Sequence, residues 1–311
     1  MIMKAVQIKK YGSIEVMELV DVEKPRPGRG QVLVQVHASC VNPFDSKIRE
    51  GAVRVIFPFT LGSDMAGVVA ELGEGAQNFT VGEKVYGSGI VLAGATGAFA
   101  EFVATPENLV ARMPGNIGFN EAAAAVLTGV SAAQALLEHI NLQPGQKILI
   151  HGGAGGIGTV AIQIAKKIGA YVAATVTGDG LEYVKNLGAD QIIDYKNQAF
   201  DELLFGYDAV LDTVGEQIYK KSFKVLKKGG IIVSMVMPVD KYLMDRYQVT
   251  AVSQKTSVTD DHLNLLTRFI EDGSVKIHID KVFSLGQIKE AFRAKEEGIV
   301  QGKIVIEVRV A

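Results

Sequence analysis

Eight residues near the middle of the chain, His151-Gly152-Gly153-Ala154-Gly155-Gly156-Ile157-Gly158, constrain its fold more than any other stretch. They carry the spacing G-x-G-x-x-G at Gly153, Gly155 and Gly158, between an apolar strand-like run at 147–150 and a helical run at 156–168. Each glycine answers a geometric need: Gly153 allows a tight turn, Gly155 lets the backbone approach a pyrophosphate, and Gly158 lets the helix lie close to the strand. The helix start, at Gly156 and Ile157, then offers unpaired N–H groups and a positive dipole end to phosphates. Alone such a turn is a weak signal, so its surroundings decide.

From residue 147 onward, strand-like and helical runs alternate. Strands are expected at 147–150, 171–175, 191–193, 209–212 and 230–234, with helices at 156–168, 181–187 and 216–226. Apolar strands regularly separated by helices imply a parallel, doubly wound sheet buried on both faces, which supplies the context a dinucleotide site requires. The first 115 residues have another texture: β-branched runs at 4–8, 15–20, 31–38, 66–72 and 84–87, punctuated by turns such as Lys24-Pro25-Arg26-Pro27-Gly28. An Ala- and Leu-rich helix is expected at 122–140 with Asn120 as its cap, and the tail adds helices at 260–272 and 286–297 and a strand at 303–308. The chain thus divides into a β-rich domain, 1–118 with 256–311, and a dinucleotide-binding domain, 119–255.

Composition narrows the partners. With 32 basic and 34 acidic residues the net charge is −2, so the chain lacks the basic footprint of a nucleic-acid binder. The single cysteine, Cys40, allows neither an intrachain disulfide nor a multi-cysteine zinc site, and reads as a small buried residue. The amino terminus lacks an apolar leader, and the longest uncharged runs, 122–137 and 148–165, are too short or too glycine-rich to span a bilayer. A cytoplasmic protein with no membrane and no nucleic-acid partner is therefore expected. The histidines show no H-E-x-x-H or similar ligand spacing.

The choice of dinucleotide rests on the end of the second strand of the alternating half, Thr175-Val176-Thr177-Gly178. NAD sites usually place a carboxylate there for the ribose 2′-hydroxyl. Thr175 and Thr177 are neutral and tolerate a 2′-phosphate, so NADPH is expected over NADH, although Asp179 follows closely and the turn holds no Lys or Arg. Tyr195, after the third strand, is placed to close over the adenosine end.

Several further motifs occur in a telling order: Gly12, Pro25-x-Pro27-Gly28, Val41-Asn42-Pro43-Phe44-Asp45-Ser46-Lys47, Leu61-Gly62-Ser63-Asp64-Met65-Ala66-Gly67, Val81-Gly82-Glu83-Lys84-Val85-Tyr86-Gly87 and the glycine turn. The chain resembles, over nearly its whole length, the medium-chain dehydrogenases/reductases, and within them the zinc-independent quinone oxidoreductases and alkenal (enone) reductases. That resemblance implies an α/β protein with a GroES-like β-rich catalytic domain and a Rossmann cofactor domain. The zinc-bearing branch would have cysteine at Asn42, His-Glu at Ser63-Asp64 and a third ligand near Ala124, so no zinc is expected.

On position alone, Asn42-Pro43 is a turn and Lys47 a solvated lysine. The resemblance implies instead that Asn42 lies beside the nicotinamide and that Lys47 hydrogen-bonds the nicotinamide ribose or a substrate carbonyl. It further implies that Thr128 lies near the nicotinamide and that Gly302-Lys303 makes a closing contact on the cofactor. Thr213, Ser234 and Val236 end the fourth and fifth strands, where a doubly wound sheet keeps its ligand crevice.

These residues fit hydride transfer from NADPH to a quinone or an α,β-unsaturated carbonyl, whose developing negative charge is delocalised without a metal. The alternatives are an enoyl-thioester reductase, for which Lys220, Lys221, Lys224, Lys227 and Lys228 form the sole basic run, expected on one helix, and a non-catalytic NADPH-binding sensor. A homodimer joined through an edge strand at 247–252 is implied by the resemblance.

Overall fold

The structure, a computed structural model, describes residues 1–298 and 300–309. The chain forms two compact units, one comprising Met1–Leu127, Val258–Glu271 and Ile277–Ala311, the other Thr128–Ser257 and Asp272–Lys276. Positions 310 and 311, which end the expected first domain, lie outside the described residues.

The first unit opens with strands β1 (Ile2–Ile8), β2 (Glu18–Glu23) and β3 (Gln31–Cys40), followed by helix α1 (Pro43–Glu50). Strands β4 (Phe59–Thr60), β5 (Asp64–Leu72), β6 (Lys84–Ser88), β7 (Phe102–Pro106) and β8 (Val110–Arg112) follow, then helix α2 (Phe119–Ala133), whose residues from Thr128 on belong to the second unit. The second unit contributes β9 (Lys147–His151), α3 (Gly156–Ile168), β10 (Tyr171–Val176), α4 (Gly180–Asn186), β11 (Gln191–Asp194), α5 (Phe200–Leu203), β12 (Tyr207–Asp212), α6 (Glu216–Ser222), β13 (Leu226–Ser234), α7 (Lys241–Tyr247) and β14 (Thr250–Ser253). The chain then returns with α8 (Asp260–Glu271), β15 (Ile279–Ser284), α9 (Ile288–Glu297) and β16 (Lys303–Glu307).

In the first unit β1 pairs antiparallel with β2 and β4, while a larger sheet runs β15-β16-β3-β5-β6-β8 with β7 also on β3. Strand β3 is its spine. One edge of β3 meets β5; the other meets β7 at Gln31–Gln35 and β16 at Ala38–Cys40. Enclosed this way, Val32, Leu33, Val34, Val36, Ala38 and Cys40 are all fully buried, which is why β3 reads as a nearly continuous apolar run. A second core gathers Val6, Ile8, Ile48, Phe292 and Ile306 from β1, α1, α9 and β16, with Leu61 and Phe99 from the segments before β5 and β7.

The sheet of the second unit is parallel throughout, in the order β11-β10-β9-β12-β13-β14. Counted from β9, this is the 3-2-1-4-5-6 order of a doubly wound dinucleotide fold, and it puts the topological switch point between β9 and β12. Its core joins Leu149, Ala173 and Val210 to Phe200, Tyr219 and Phe223.

Local departures from the sequence expectations have physical causes. The helix expected at 122–140 starts at Phe119, so Asn120 lies inside its first turn and does not cap it, and from Gln134 to His139 it widens into a π-helix. Gln254 Nε2 donates to Ser131 O at 3.1 Å, taking a carbonyl that the helix ladder would otherwise use. The run expected as strand 15–20 begins instead with a 3₁₀ turn, Ile14–Val16, and pairs only from Glu18. The helix expected at 216–226 stops at Ser222, because Leu226 already belongs to β13. Among the described residues no helix is long and apolar enough to cross a membrane.

Candidate active site

In the first unit the site begins where β3 gives way to α1. Asn42 is the extended residue before the helix, followed by Pro43, whose fixed φ suits the first helical position. The backbone N–H of Asn42 donates to Asp45 Oδ2 at 2.8 Å, and the side chain of this buried residue is drawn inward. Its Nδ2 donates to Asp64 Oδ2 at 2.8 Å, while Lys303 Nζ donates to its Oδ1. Lys303 Nζ also reaches Val41 O at 3.1 Å. The Cys40 thiol donates to Asp64 Oδ2 at 3.2 Å, and the Ser63 hydroxyl donates to Asp45 Oδ1 at 3.2 Å.

This polar nest has a distinctive electrostatic balance. Burial pushes the Asp45 carboxyl up to about 7; the neighbouring Asp64 carboxyl adds to the push, and the Asn42 N–H, Lys303 and the Ser63 hydroxyl oppose it. Burial also raises Asp64, against the pull of Lys303 and the donors Asn42, Cys40 and Leu127 N–H. The Cys40 thiol is pushed well above its ordinary range by burial, so it is no nucleophile.

In the second unit the glycine turn sits at the switch point. Gly152 has φ +70°, and a Cβ on Gly158 would lie 2.2 Å from Gly152 O. A Cβ on Gly153 would come within 3.0 Å of Ala174 Cβ in β10. Helix α3 begins after Gly155, which has no side chain to cap it, and its first backbone bond to a preceding carbonyl is Thr159 N–H to Gly155 O. The N–H groups of Gly156, Ile157 and Gly158 are thereby left for a ligand.

A buried histidine anchors this turn. Ser222 donates its hydroxyl proton to Ile218 O at 2.7 Å and so accepts from His151 Nε2 at 2.9 Å. His151 Nδ1 then accepts from the Thr175 hydroxyl at 3.0 Å. Burial pushes His151 down to about 4, with Asp212 pulling the other way, so the ring is neutral. Across the switch point, Thr213 donates to His151 O at 2.8 Å. Asp212 accepts the N–H groups of Val214 and Gly215 and, at 2.7 Å, the Ser234 hydroxyl, which binds the ends of β12 and β13 together.

Known proteins share this construction. Residues 28–115 match the alcohol dehydrogenase GroES-like domain and residues 187–306 the zinc-binding dehydrogenase family. The chain is 37% identical over 316 residues to a 2-methylene-furan-3-one reductase of Solanum lycopersicum, which spans 98% of this chain and 79% of that one. An Arabidopsis thaliana protein named as a chloroplastic NADPH-dependent alkenal/one oxidoreductase is 34% identical, with the same coverage of 98% and 79%. The structure of a Coxiella burnetii quinone oxidoreductase superimposes with a TM-score of 0.92 at 31% identity, covering 99% of this chain and all of that one. The chain belongs to the quinone and alkenal/one oxidoreductases of the medium-chain dehydrogenase/reductase superfamily.

For a medium-chain reductase, the structure sorts the sequence-derived residues into distinct groups. Gly153, Gly155, Gly156, Ile157, Gly158, Val176, Thr177, Tyr195, Thr213, Ser234 and Val236 lie in or beside the carboxyl ends of β9 to β13. Tyr195 is half exposed and its N–H donates to Val176 O at 3.2 Å, so it stands beside the second strand's end. Thr128 is nearly buried in α2. Others are committed elsewhere: the Thr175 hydroxyl is taken by His151, the Thr177 hydroxyl by Asp194, and that of Ser234 by Asp212. A direct phosphate contact from the Thr175 hydroxyl is thus replaced by an internal bond.

Two of the lysines sit in contrasting surroundings. Lys303 is buried with its ammonium on Val41 O and Asn42, so its contact is with Asn42; Gly302 (φ +74°) makes the approach, with room for no Cβ against His278 O. Lys47 is exposed on α1, and its ammonium has no hydrogen-bond or ion-pair partner among the described residues. The run from Lys220 to Lys228 is split between α6, a connecting turn and β13, and Lys221, Lys224 and Lys227 pair with Asp201 or Asp208. Asp45, Asp64, His151, Asp194 and Asp212 receive no role in the sequence reading, although Asp45 and Asp64 stand inside the quoted motifs and His151 opens the glycine turn.

Proposed function

We propose that this protein is an NADPH-dependent reductase of α,β-unsaturated carbonyl compounds or quinones, working without zinc. The observation that carries the cofactor assignment is the uncapped start of α3 behind the glycine turn at the switch point. There the N–H groups of Gly156, Ile157 and Gly158 receive the pyrophosphate, and Tyr195 with Thr177 borders the adenosine ribose. The substrate class is supported by the relatives named for alkenal/one and furanone reduction and by the quinone oxidoreductase neighbour.

Bound NADPH supplies a hydride from its nicotinamide ring. The chain's own residues position and polarise. Asn42 presents an amide N–H to a carbonyl oxygen, and the exposed Lys47 ammonium on α1 is offered to the nicotinamide ribose or to that oxygen. Negative charge gathering on the oxygen is delocalised in a conjugated acceptor, so a few fixed donors suffice, and solvent returns the final proton. Zinc does not fit the residues present. Asn42, Ser63 and Ala124 stand where zinc-bearing relatives place ligands, and an ammonium already occupies the Asn42 oxygen. A homodimer through the outer edge of β14, the last strand of its sheet, completes the proposal.

The test is loss of nicotinamide absorbance with NADPH and NADH in parallel, against a 2-alkenal and a quinone. Faster NADPH oxidation with either acceptor supports the reading. Binding of NADPH with turnover of neither acceptor refutes it. Light scattering that gives a monomer mass at micromolar concentration refutes the dimer.

A further inference from the structure

An amide side chain has two donor hydrogens and an oxygen with two lone pairs, and in Asn42 one hydrogen and the oxygen are already engaged. The oxygen takes the Lys303 ammonium, and one Nδ2 hydrogen goes to Asp64 Oδ2 at 2.8 Å. The reverse orientation would set the NH₂ against an ammonium and the oxygen against a carboxylate, so charge alone fixes which way the amide faces. Each clamp is itself held. Lys303 is tied to Val41 O at 3.1 Å, and Asp64 receives the Cys40 thiol at 3.2 Å while its own carbonyl takes the Ser39 hydroxyl at 2.6 Å. Asn42 and Asp64 are 1% exposed and Lys303 6%.

Such an arrangement is poor value as mere scaffolding, because burying an ammonium and a carboxylate usually stabilises a fold no better than apolar side chains of the same volume. We propose that Lys303 and Asp64 are positioning residues that lock Asn42 into a one-way hydrogen-bond donor. The cationic donor on its oxygen draws electron density from the amide and strengthens the remaining N–H. The site therefore selects an acceptor oxygen, of the carbonyl or quinone kind, and with an ammonium already on the Asn42 oxygen it offers a substrate hydroxyl only a weak acceptor there. The inference rests on the reductase reading for its substrate, but the lock itself is a property of the chain.

The test uses the full-length protein and two readouts. In ¹⁵N–¹H spectra, the Asn42 side-chain pair, identified by its loss in Asn42→Ala, is expected to show one strongly downfield proton. That proton should move upfield in Asp64→Asn, and the whole pair should move in Lys303→Met. In NADPH oxidation with a 2-alkenal, Lys303→Met is expected to lower kcat by about tenfold to a hundredfold, less than the loss of a whole oxyanion donor because the amide itself remains, with the NADPH Kd held within about threefold. In an Asn42→Ala background the same change should cost less than about twofold, because Lys303 acts only through that amide. Should Lys303→Met not fold, Lys303→Arg and Asp64→Asn carry the comparison. An Asn42 pair at the position of a solvated amide and unmoved by either clamp variant overturns the lock. So does a double variant whose losses multiply. If the wild type reduces neither acceptor yet shows the shifted pair, the reductase reading fails and the lock stands.

Discussion

Replacing Asp45 by Asn should stabilise the protein, and increasingly so as the pH rises. Asp45 is fully buried in the first turn of α1, where its two oxygens accept the Asn42 N–H and the Ser63 hydroxyl. Burial holds its proton up to about pH 7, whereas the unfolded chain releases it above 3.8. The folded state therefore binds the extra proton between these values, and the stability present below 3.8 is lost as pH rises through 7. Roughly three pH units at about 1.4 kcal/mol each make this about 4 kcal/mol. Asn keeps the shape and an oxygen for the Asn42 N–H, does not titrate, and turns its amide to the Ser63 oxygen. Apart from a constant offset, the advantage of Asp45→Asn should be near zero at pH 4 and approach about 4 kcal/mol at pH 8. Urea unfolding followed by far-ultraviolet circular dichroism suits a chain without tryptophan. An advantage that is flat between pH 5 and pH 8 would refute the argument.

His151 titrates in the opposite sense: neutral when folded down to about pH 4, it is protonated in the unfolded chain below 6.5, so stability present above 6.5 is lost toward pH 4, by about 3 kcal/mol. His151→Asn should flatten that acid limb in the same urea series while lowering stability at pH 7 by about 2 kcal/mol through the broken Thr175 and Ser222 bonds. Gly158→Ala drives a methyl to 2.2 Å from Gly152 O and 2.8 Å from Gly153 Cα, both backbone atoms that side-chain motion cannot relieve. It is expected to weaken NADPH binding by more than about tenfold, read by fluorescence titration, because the turn that presents the helix N–H groups must open. Asp194 lies at the end of β11 with its carboxylate on the Thr177 hydroxyl, where the ribose 2′ position falls in this fold. Asp194→Asn should lower the KM for NADPH several-fold and leave that for NADH unchanged, since only the 2′-phosphate feels the charge.

The cofactor half of the molecule was legible in the sequence because its signals are local. A glycine turn, apolar strands and Ala- or Ile-rich helices each report on neighbours a few residues away, and α3 begins and ends where its pattern does. Strands β7, β8 and β15 were not read, since short or half-exposed strands lack a clear alternation and owe their pairing to partners distant in the chain. The polar nest around Asn42 shows the same limit: Asp45 and Ser63 are 18 residues apart, Asn42 and Lys303 261. Sequence motifs named Asn42 and Lys303 separately, but only the pairing of β16 with β3 explains why an apparently cofactor-directed lysine turns inward. Thr175 and Thr177 illustrate a different failure. A free hydroxyl cannot be told from a committed one until its neighbours His151 and Asp194 are seen.

The return of the chain to its first unit sets an order on biogenesis. The second unit is nearly contiguous, from Thr128 to Ser257, so a ribosome releases most of it as one piece. Strand β3, by contrast, emerges with residues 31–40 and waits for a partner strand that begins only at Lys303, after the whole of the second unit. Until then the Asn42 amide has no ammonium on its oxygen, and the end of β3 at Ala38–Cys40 is paired with β5 on one edge and open on the other. A chain that stops before Lys303 would keep the whole glycine turn and lose the lock, so nucleotide binding should be acquired during synthesis before Asn42 is set.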